Sequence, residues 1–209
     1  MNYLDPSEYE NYGLESSTAL SWVGAASSLI DSYCRRQTLA ISTFTERIRL
    51  VPGRNCVRLT YLPLAVSGQQ QSPLISARGR YAPPRRGEEN SLWDMTNDIS
   101  EVFALPGTWV DLDVTSMDYF NDTGEVSWLP NPLGLLFQEM EITYTAGFAT
   151  IPDAVKYACA QIVRNAQATP ALNVHASTLS NMHLDYFADT LLDQTVKAYL
   201  APFLAQKAA

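Results

Sequence analysis

Residues 16–36 carry two adjacent rows of apolar side chains at helical spacing. The first row is Leu20, Val23, Ile30 and Cys34, and the second is Trp22, Ala26, Leu29 and Tyr33. Ser16 or Ser17 can cap the start of this helix by accepting from its free backbone N–H groups. Two rows make a wide apolar face, so we expect the helix to be covered on two sides.

From Thr43 onward the apolar period changes from helical to two. Residues 43–50 alternate apolar and polar, Pro52–Asn55 form a turn, and the alternation resumes over 57–61. Two alternating segments around a turn predict a β-hairpin. Later strands are predicted at Ile99–Leu105, Trp109–Val114, Met117–Phe120, Glu125–Leu129 and Glu141–Ala146, with turns at Pro106-Gly107 and Asn121–Gly124.

The segment 67–97 differs in composition from the strands around it. It is rich in Gln, Ser, Pro, Gly and Arg, and only Leu74–Tyr81 could pair as a strand. A long irregular segment within a compact domain is usually functional or disordered. We expect a projecting loop or hairpin arm.

Helical spacing returns near the end of the chain. Pro152 and Asp153 suit a first helical turn, the row Val155, Cys159, Ile162 and Ala166 follows, and Thr169-Pro170 stops the helix. Apolar residues between Leu184 and Leu204 predict a second helix. Its other face carries Asp185, Asp189, Asp193 and Lys197, and Pro202 ends or kinks it.

These elements predict an α+β fold. It is a small α-helical bundle, of one N-terminal helix and two C-terminal helices, with a long antiparallel β region inserted between them. We expect residues 1–209 to form a single domain, in which 65–140 is an enlarged β insertion that includes the projecting loop 67–97.

Composition narrows the class of protein. Charged residues make up 17% of the 209 residues, against a usual quarter, which indicates that part of the surface is covered. The net charge of −8 argues against a free nucleic-acid-binding protein. An odd number of cysteines, three, does not predict a disulfide framework and favours a reducing compartment. No segment predicts a membrane span or a signal peptide, so we expect a soluble, intracellular protein when it is made.

Cys34 is followed at once by Arg35 and Arg36, which poses a choice. The arginines could hold a reactive thiolate, or they could be cations at the last turn of a helix. The helical row favours a buried, structural Cys34, because a helix C-terminus raises a thiol pKa. Arg35 and Arg36 are then last-turn cations or partners for carboxylates on a neighbouring chain.

Other candidate chemistry is sparse. His175 and His183 lie eight residues apart, which is not a metal-ligand spacing. The sequence contains no nucleophile elbow, phosphate-binding loop or dinucleotide fingerprint. We therefore expect no catalytic site, no metal and no cofactor.

Four arginines form the only basic concentration: Arg78, Arg80, Arg85 and Arg86. One interpretation is a solvated loop. The other is a surface that docks on an acidic partner or phosphate, because Tyr81 and paired prolines lie among the arginines.

Three segments together resemble a known family: "IDSYCRRQ", "TERIRLVPGRNCVRLTYLPL" and "EITYTAGFATIPDAVKYACAQIVRN". The chain resembles the head–tail connector proteins of tailed bacteriophages, also called adaptor or head-completion proteins. The most specific part is Ile142–Phe148, followed by Ile151-Pro152 at the start of a helix. The region 65–140 is longer than is typical for the family and matches it only loosely.

The resemblance implies a structural virion protein. Such proteins form a homo-oligomeric ring, usually of twelve subunits, between the portal protein and the next neck or tail protein. Double-stranded DNA passes through without specific binding. The expected location is the virion neck, and the host cytoplasm during assembly. A wide apolar helix face suits lateral packing, and an acidic balance suits a channel to which DNA does not adhere.

Alternatives remain at this point. The chain could be another neck or tail-completion protein, or a small intracellular enzyme that uses Cys34 or His183. Phe203 and Leu204 follow a helix break and could anchor the tail on the portal, as the C-terminal segment commonly does in the resembled family. They could equally pack back on their own helices.

Overall fold

The computed structural model divides the chain into two compact units. The helical unit contains Met1–Leu39 and Thr150–Ala205, and the β unit contains Ala40–Ala149. The structure describes residues 1–51, 54–66, 72–81, 107–129, 137–168, 176–179, 182–185 and 191–205, with backbone alone for 176–179 and 182–185. The β unit is therefore inserted in the sequence of the helical unit, and the chain passes between the two units twice.

The helical unit contains three α-helices, a hairpin and two 3-10 helices among its described residues. In chain order these are a 3-10 helix at Pro6–Tyr12, α1 at Leu20–Cys34, α2 at Asp153–Ala168, the strands β8 (Ala176–Leu179) and β9 (Met182–Asp185), α3 at Gln194–Leu200 and a 3-10 helix at Ala201–Phe203. One apolar cluster joins α1, α2, α3 and the N-terminal segment. Burial of these apolar faces, more than helix propensity, stabilises helices of this length.

Helix α1 buries residues from both of its apolar rows but exposes the first residue of each row. Val23, Ala26, Ile30 and Cys34 are buried. In contrast, Leu20 is 52% exposed and Trp22 is 45% exposed, so the predicted coverage of both rows is wrong at this end. The serine cap is also wrong, because Ala19 occupies the N-cap and makes no side-chain cap bond.

The end of α1 is fixed by backbone and side-chain bonds. Arg35 adopts a left-handed φ of 56°, and its N–H group bonds to the carbonyls of the last turn. The Tyr3 hydroxyl donates to the Asp31 carboxylate and accepts from the Leu39 N–H at 2.8 Å. These contacts determine where the chain leaves the helical unit.

The two C-terminal helices were predicted with different success. Helix α2 begins at Asp153 directly after Pro152 and buries Val155, Cys159 and Ile162, which confirms the prediction. The second helix is shorter than predicted, because β9 occupies Met182–Asp185 and α3 starts only after Asp193. The Asp193 carboxylate accepts from the Val196 N–H at 2.6 Å, a side-chain cap that defines the start of α3.

The β unit contains two antiparallel sheets. The four-stranded sheet has the order β1-β7-β3-β4, and the three-stranded sheet has the order β2-β6-β5. The strands are β1 (Ser42–Arg49), β2 (Cys56–Arg58), β3 (Leu74–Tyr81), β4 (Trp109–Leu112), β5 (Asp118–Tyr119), β6 (Glu125–Ser127) and β7 (Phe137–Ala146). One apolar cluster contains side chains from both sheets, so the sheets pack face to face around a shared core.

The predicted hairpin between residues 43 and 61 is wrong. Strand β1 pairs with β7, in a register that places Phe44 opposite Tyr144, and β2 pairs with β6 in the other sheet. The chain between β1 and β2 therefore joins strands of two different sheets and not two neighbouring strands. A local turn signal does not determine the pairing, because burial of a strand face selects partners that are distant in sequence.

Several predicted strands are confirmed within a few residues. Strands β4, β5, β6 and β7 fall within or overlap the predicted segments. Leu74–Tyr81 pairs as a strand, and it lies inside the four-stranded sheet between β7 and β4. The rest of the predicted projecting loop, 67–71 and 82–97, lies outside the described residues, as does the predicted strand Ile99–Leu105.

The predicted fold class is wrong. A small bundle of three helices with a β insertion does not account for the described residues, which include a fourth helix at Pro6–Tyr12 and seven strands in two antiparallel sheets. The protein is mixed α/β, and its β residues form a unit with a core of their own. Within the described ranges, no helix has the length and the apolar character needed to cross a membrane.

Candidate functional site

Alternation along the strands gives the four-stranded sheet one apolar face and one charged face. Phe44, Ile142 and Ala77 point into the core, so the neighbouring residues of each strand point away from it. The charged face, as we call this outward surface, contains Arg47, Arg49, Arg78, Arg80, Trp109, Asp111, Glu139 and Glu141. The four arginines outnumber the three carboxylates there, in a chain whose net charge is −8.

The strand register arranges these charges in two rows across the sheet. In the first row, Glu141 of β7 lies between Arg47 of β1 and Arg78 of β3. In the second row, Glu139 lies between Arg49 and Arg80. Opposite charges directly across a strand pair stabilise the sheet.

Ion pairs form within the two rows, and the Arg47–Glu139 pair connects one row to the other. Arg78 Nη2 lies 2.7 Å from Glu141 Oε1, and Arg80 Nη1 lies 3.6 Å from Glu139 Oε2. The Arg47 guanidinium donates to Glu139. This bond lowers the pKa of the Glu139 carboxyl, and the charges of Arg80 and Arg49 lower it further. The face therefore holds Glu139 ionised and leaves an excess of cationic groups around it.

Trp109 supplies an aromatic surface beside the arginines. The guanidinium carbons of Arg47 and Arg78 lie 5.1 Å and 5.2 Å from its ring centroid, within cation–π range. Strand β4 places the ring at the edge of the sheet, where it is half-buried. Arginine and tryptophan are enriched in the centres of protein–protein interfaces. The charged face thus has the chemistry of a recognition surface.

A second exposed surface lies on the other sheet of the β unit. Residues 118–127, here called the acidic hairpin, contain β5, β6 and the turn that joins them. Phe120 is 61% exposed, and Asp118, Asp122 and Glu125 are exposed around it. Gly124 closes the turn at a φ of 65°, and its N–H donates to the Phe120 carbonyl at 2.8 Å.

The predicted arginines are distributed over different parts of the chain. Arg78 and Arg80 lie on the charged face, whereas Arg85 and Arg86 lie outside the described residues. Arg35 is exposed and Arg36 is buried, both at the end of α1 in the helical unit. Sequence reasoning missed Arg47, Arg49, Glu139, Glu141 and Trp109. The alternating pattern of 45–49 and 137–141 was the available signal, but only the strand register brings these residues together.

Cys34 and Cys159 are buried in the helical core. Burial raises the pKa of each thiol to about 11, although Arg36 acts in the opposite direction on Cys34. A nucleophilic thiol needs a lowered pKa and access to solvent. Cys56 lies on β2 and is half-buried. The geometry therefore agrees with the structural interpretation of Cys34.

The histidines provide no described site. His175 lies outside the described residues, and only the backbone of His183 is described, in β9. Within the part of the chain that the structure describes, no three side chains of metal-ligating type converge.

The two tail residues differ in their surroundings. Phe203, in the last 3-10 helix, packs against the core of the helical unit. Leu204 is half-buried and is not part of that cluster. The Ala205 N–H donates to the Cys34 carbonyl at 3.0 Å, which attaches the tail to the end of α1.

Neither a protein-family model nor a curated protein sequence matches the chain.

Proposed function

We propose that the protein is a structural protein of a tailed-bacteriophage virion. In this proposal it forms a ring, of twelve subunits as is usual in the family it resembles, that joins the capsid portal to the tail. The ring surrounds the passage for double-stranded DNA and does not bind DNA specifically. It acts in the virion neck and assembles in the host cytoplasm.

The observation that carries the proposal is the position of the most specific resembling segment. Ile142–Phe148 contains the end of β7 and lies just before the passage from Ala149 to Thr150, one of the two chain passages between the units. Gly147 adopts a φ of 128°, and a Cβ atom there would lie 2.4 Å from the Ala40 carbonyl oxygen. Ala40 pairs with Phe148 and lies at the other passage. A glycine is therefore required at this position, because the chain segments beside the two passages touch and no side chain fits between them.

The other two resembling segments lie near the same junction in the sequence. The segment from Ile30 to Gln37 ends α1 just before the first passage. The segment from Thr45 to Leu64 begins in β1, the strand that pairs with β7. The three segments thus include the end of α1 before one passage, the strand β1 that pairs with β7, and the residues on both sides of the other passage.

Charge is consistent with a role around DNA. A binding surface for DNA neutralises phosphates with lysine and arginine, and its affinity depends on salt. Here the net charge is −8, and three of the four arginines of the charged face, Arg47, Arg78 and Arg80, are paired with Glu139 or Glu141. Such a subunit would let DNA slide past with little adhesion.

The test is to mix the purified protein with portal rings and, separately, with tail rings of the same phage. The expected result, in negative-stain images, is an extra layer of density stacked on the portal, with cyclic symmetry. Bovine serum albumin mixed with the same portal rings is the control. Binding to tail rings alone would make the chain a tail-completion protein, and binding to neither would overturn the virion role.

A further inference from the structure

We propose that the charged face of one subunit binds the acidic hairpin of the next subunit. This inference deepens the proposed function and rests on it only for the expectation that the chain of contacts closes into a ring. The pairing of the two surfaces follows from the described geometry of the β unit alone.

The charged face and the acidic hairpin cannot meet within one β unit. The three-stranded sheet, which contains the acidic hairpin, packs on the apolar face of the four-stranded sheet. The charged face is on the opposite side of that sheet, because strand residues alternate between the two sides. A contact between hairpin and face therefore requires two copies of the chain.

The charged face and the acidic hairpin have complementary charges. The charged face carries four arginines and three carboxylates, with Arg49 and Arg80 on either side of Glu139. The hairpin carries three exposed carboxylates; opposite Glu125 lies Arg58 of β2, whose Nε donates to the Thr123 carbonyl at 3.1 Å. A cationic surface and an anionic one attract and orient each other during association.

Phe120 gives the acidic hairpin an apolar anchor for this contact. Phe120 is a large aromatic side chain at 61% exposure on a narrow hairpin, which makes it able to enter a partner surface. The charged face offers Trp109, with the guanidinium groups of Arg47 and Arg78 beside its ring. An aromatic anchor with a charged rim is the usual composition of an interface hot spot.

The placement of the two surfaces determines the symmetry of the contact between subunits. The two surfaces differ and lie on opposite sides of the β unit, so one partner copy does not cover both of them. Their contact is therefore head-to-tail and leaves one free surface of each kind on every pair. Contacts of this kind produce a closed ring when the rotation between subunits closes, and a filament when it does not. A head-to-tail contact is thus the type of interface that a ring requires.

Two variants test the pairing. The hairpin variant combines Phe120→Ser with Asp122→Lys, both in an exposed turn. The face variant combines Arg49→Ser with Arg80→Ser, which leaves the Arg47–Glu139 and Arg78–Glu141 pairs in place but makes the carboxylates of the face outnumber its arginines, three to two. The control combines Tyr199→Ser with Glu10→Lys, equivalent changes at exposed positions of the helical unit.

Self-association is measured by analytical ultracentrifugation at low salt, after the Tm of each variant is shown to match the wild type. We expect each variant to raise the dissociation constant by about tenfold or more, and the control to leave it unchanged. An equimolar mixture of the two variants should form dimers and nothing larger, because each pair has one intact contact and no intact surfaces left to extend it. Added salt should weaken the association.

The proposal is overturned if the wild type stays monomeric at every concentration, if the hairpin variant assembles like the wild type, or if the mixture forms no dimers. Portal binding of the same proteins separates this inference from the proposed function. Rings on the portal formed by the hairpin variant would refute the pairing and keep the connector role. If the mixture forms dimers but the wild type does not bind the portal, the pairing of the two surfaces is supported and the connector role is refuted.

Discussion

At the scale of single residues, burial determines the reactivity of the three cysteines. Cys34 and Cys159 are fully buried, and burial raises the pKa of both thiols to about 11. The thiolate is the reactive species, so both should react slowly. With an aromatic disulfide reagent at pH 8, we expect about one fast equivalent in the native protein, from Cys56, and three after unfolding. A Cys56→Ser variant should lose the fast equivalent. Fast labelling of Cys34 in the folded protein would revive the reactive-thiol interpretation.

Glu139 makes stability dependent on pH through its ion pairs. Its folded-state pKa lies below the ordinary value of 4.5, chiefly because Arg47 donates to it. A lowered carboxyl pKa stabilises the fold above the unfolded-state pKa, and this contribution is lost as the pH falls through the folded-state pKa. Glu139→Gln should therefore lower the Tm at pH 7.

The same difference should shrink as the pH falls below 4.5. Thermal unfolding followed by circular dichroism at several pH values measures it. Glu10→Gln, the same change at an exposed site of the helical unit, is the control and should leave the Tm unchanged. An equal loss for Glu139→Gln at pH 3 and pH 7 would mean that packing, and not charge, explains its effect.

At the scale of elements, the passage between the units depends on one glycine. Gly147 has a φ of 128° and touches the Ala40 backbone, so Gly147→Ala should cost about 1–3 kcal/mol in the free energy of unfolding. Gly24→Ala is the matched control in the middle of α1, where the new Cβ would lie 3.4 Å from Asn2 Oδ1. That change should stabilise the protein by about 0.5–1 kcal/mol. Urea unfolding of both variants checks the pair, and a neutral Gly147→Ala would contradict the strained junction.

The elements also show which parts of the fold the sequence could predict. Helix α2 was predictable because its start signals, Pro152 and Asp153, and its buried row are all local. The pairing of β1 with β7 was not, because Arg47 and Glu141 are brought together by a register that no local pattern encodes. The helix predicted from Leu184 failed where β8 and β9 pair with each other. Local patterns thus identified most elements, and tertiary pairing decided their partners.

Local patterns in the sequence also predicted only part of the candidate site. The basic cluster found in the sequence contributes Arg78 and Arg80 to the charged face, but the other five of its seven charged residues come from β1, β4 and β7. The helical pattern also could not predict that Leu20 and Trp22 are exposed. Helical spacing predicts which residues share a face, but not which other part of the protein covers that face.

At the scale of the whole molecule, the described surfaces divide the proposed roles between the two units. The β unit carries two complementary surfaces, the charged face and the acidic hairpin, which suit contacts between subunits. The helical unit carries the tail, in which Phe203 packs against the helical core and Leu204 is not part of that cluster. In the proposed connector, portal contact would therefore be expected from Leu204.

Two tail variants separate docking from internal packing. Phe203 packs on the helical core, so Phe203→Ala should lower the Tm, with a cost of about 1–3 kcal/mol for a partly buried ring. Leu204 lies outside that core, so Leu204→Ala should leave the Tm of the free subunit nearly unchanged and weaken binding to portal rings by about tenfold. Tm is measured by calorimetry, and portal binding by co-sedimentation. Tyr199→Ala, at an exposed position of α3, is the control for both measurements. If Leu204→Ala lowers the Tm while portal binding is intact, Leu204 is a packing residue and the tail is no anchor.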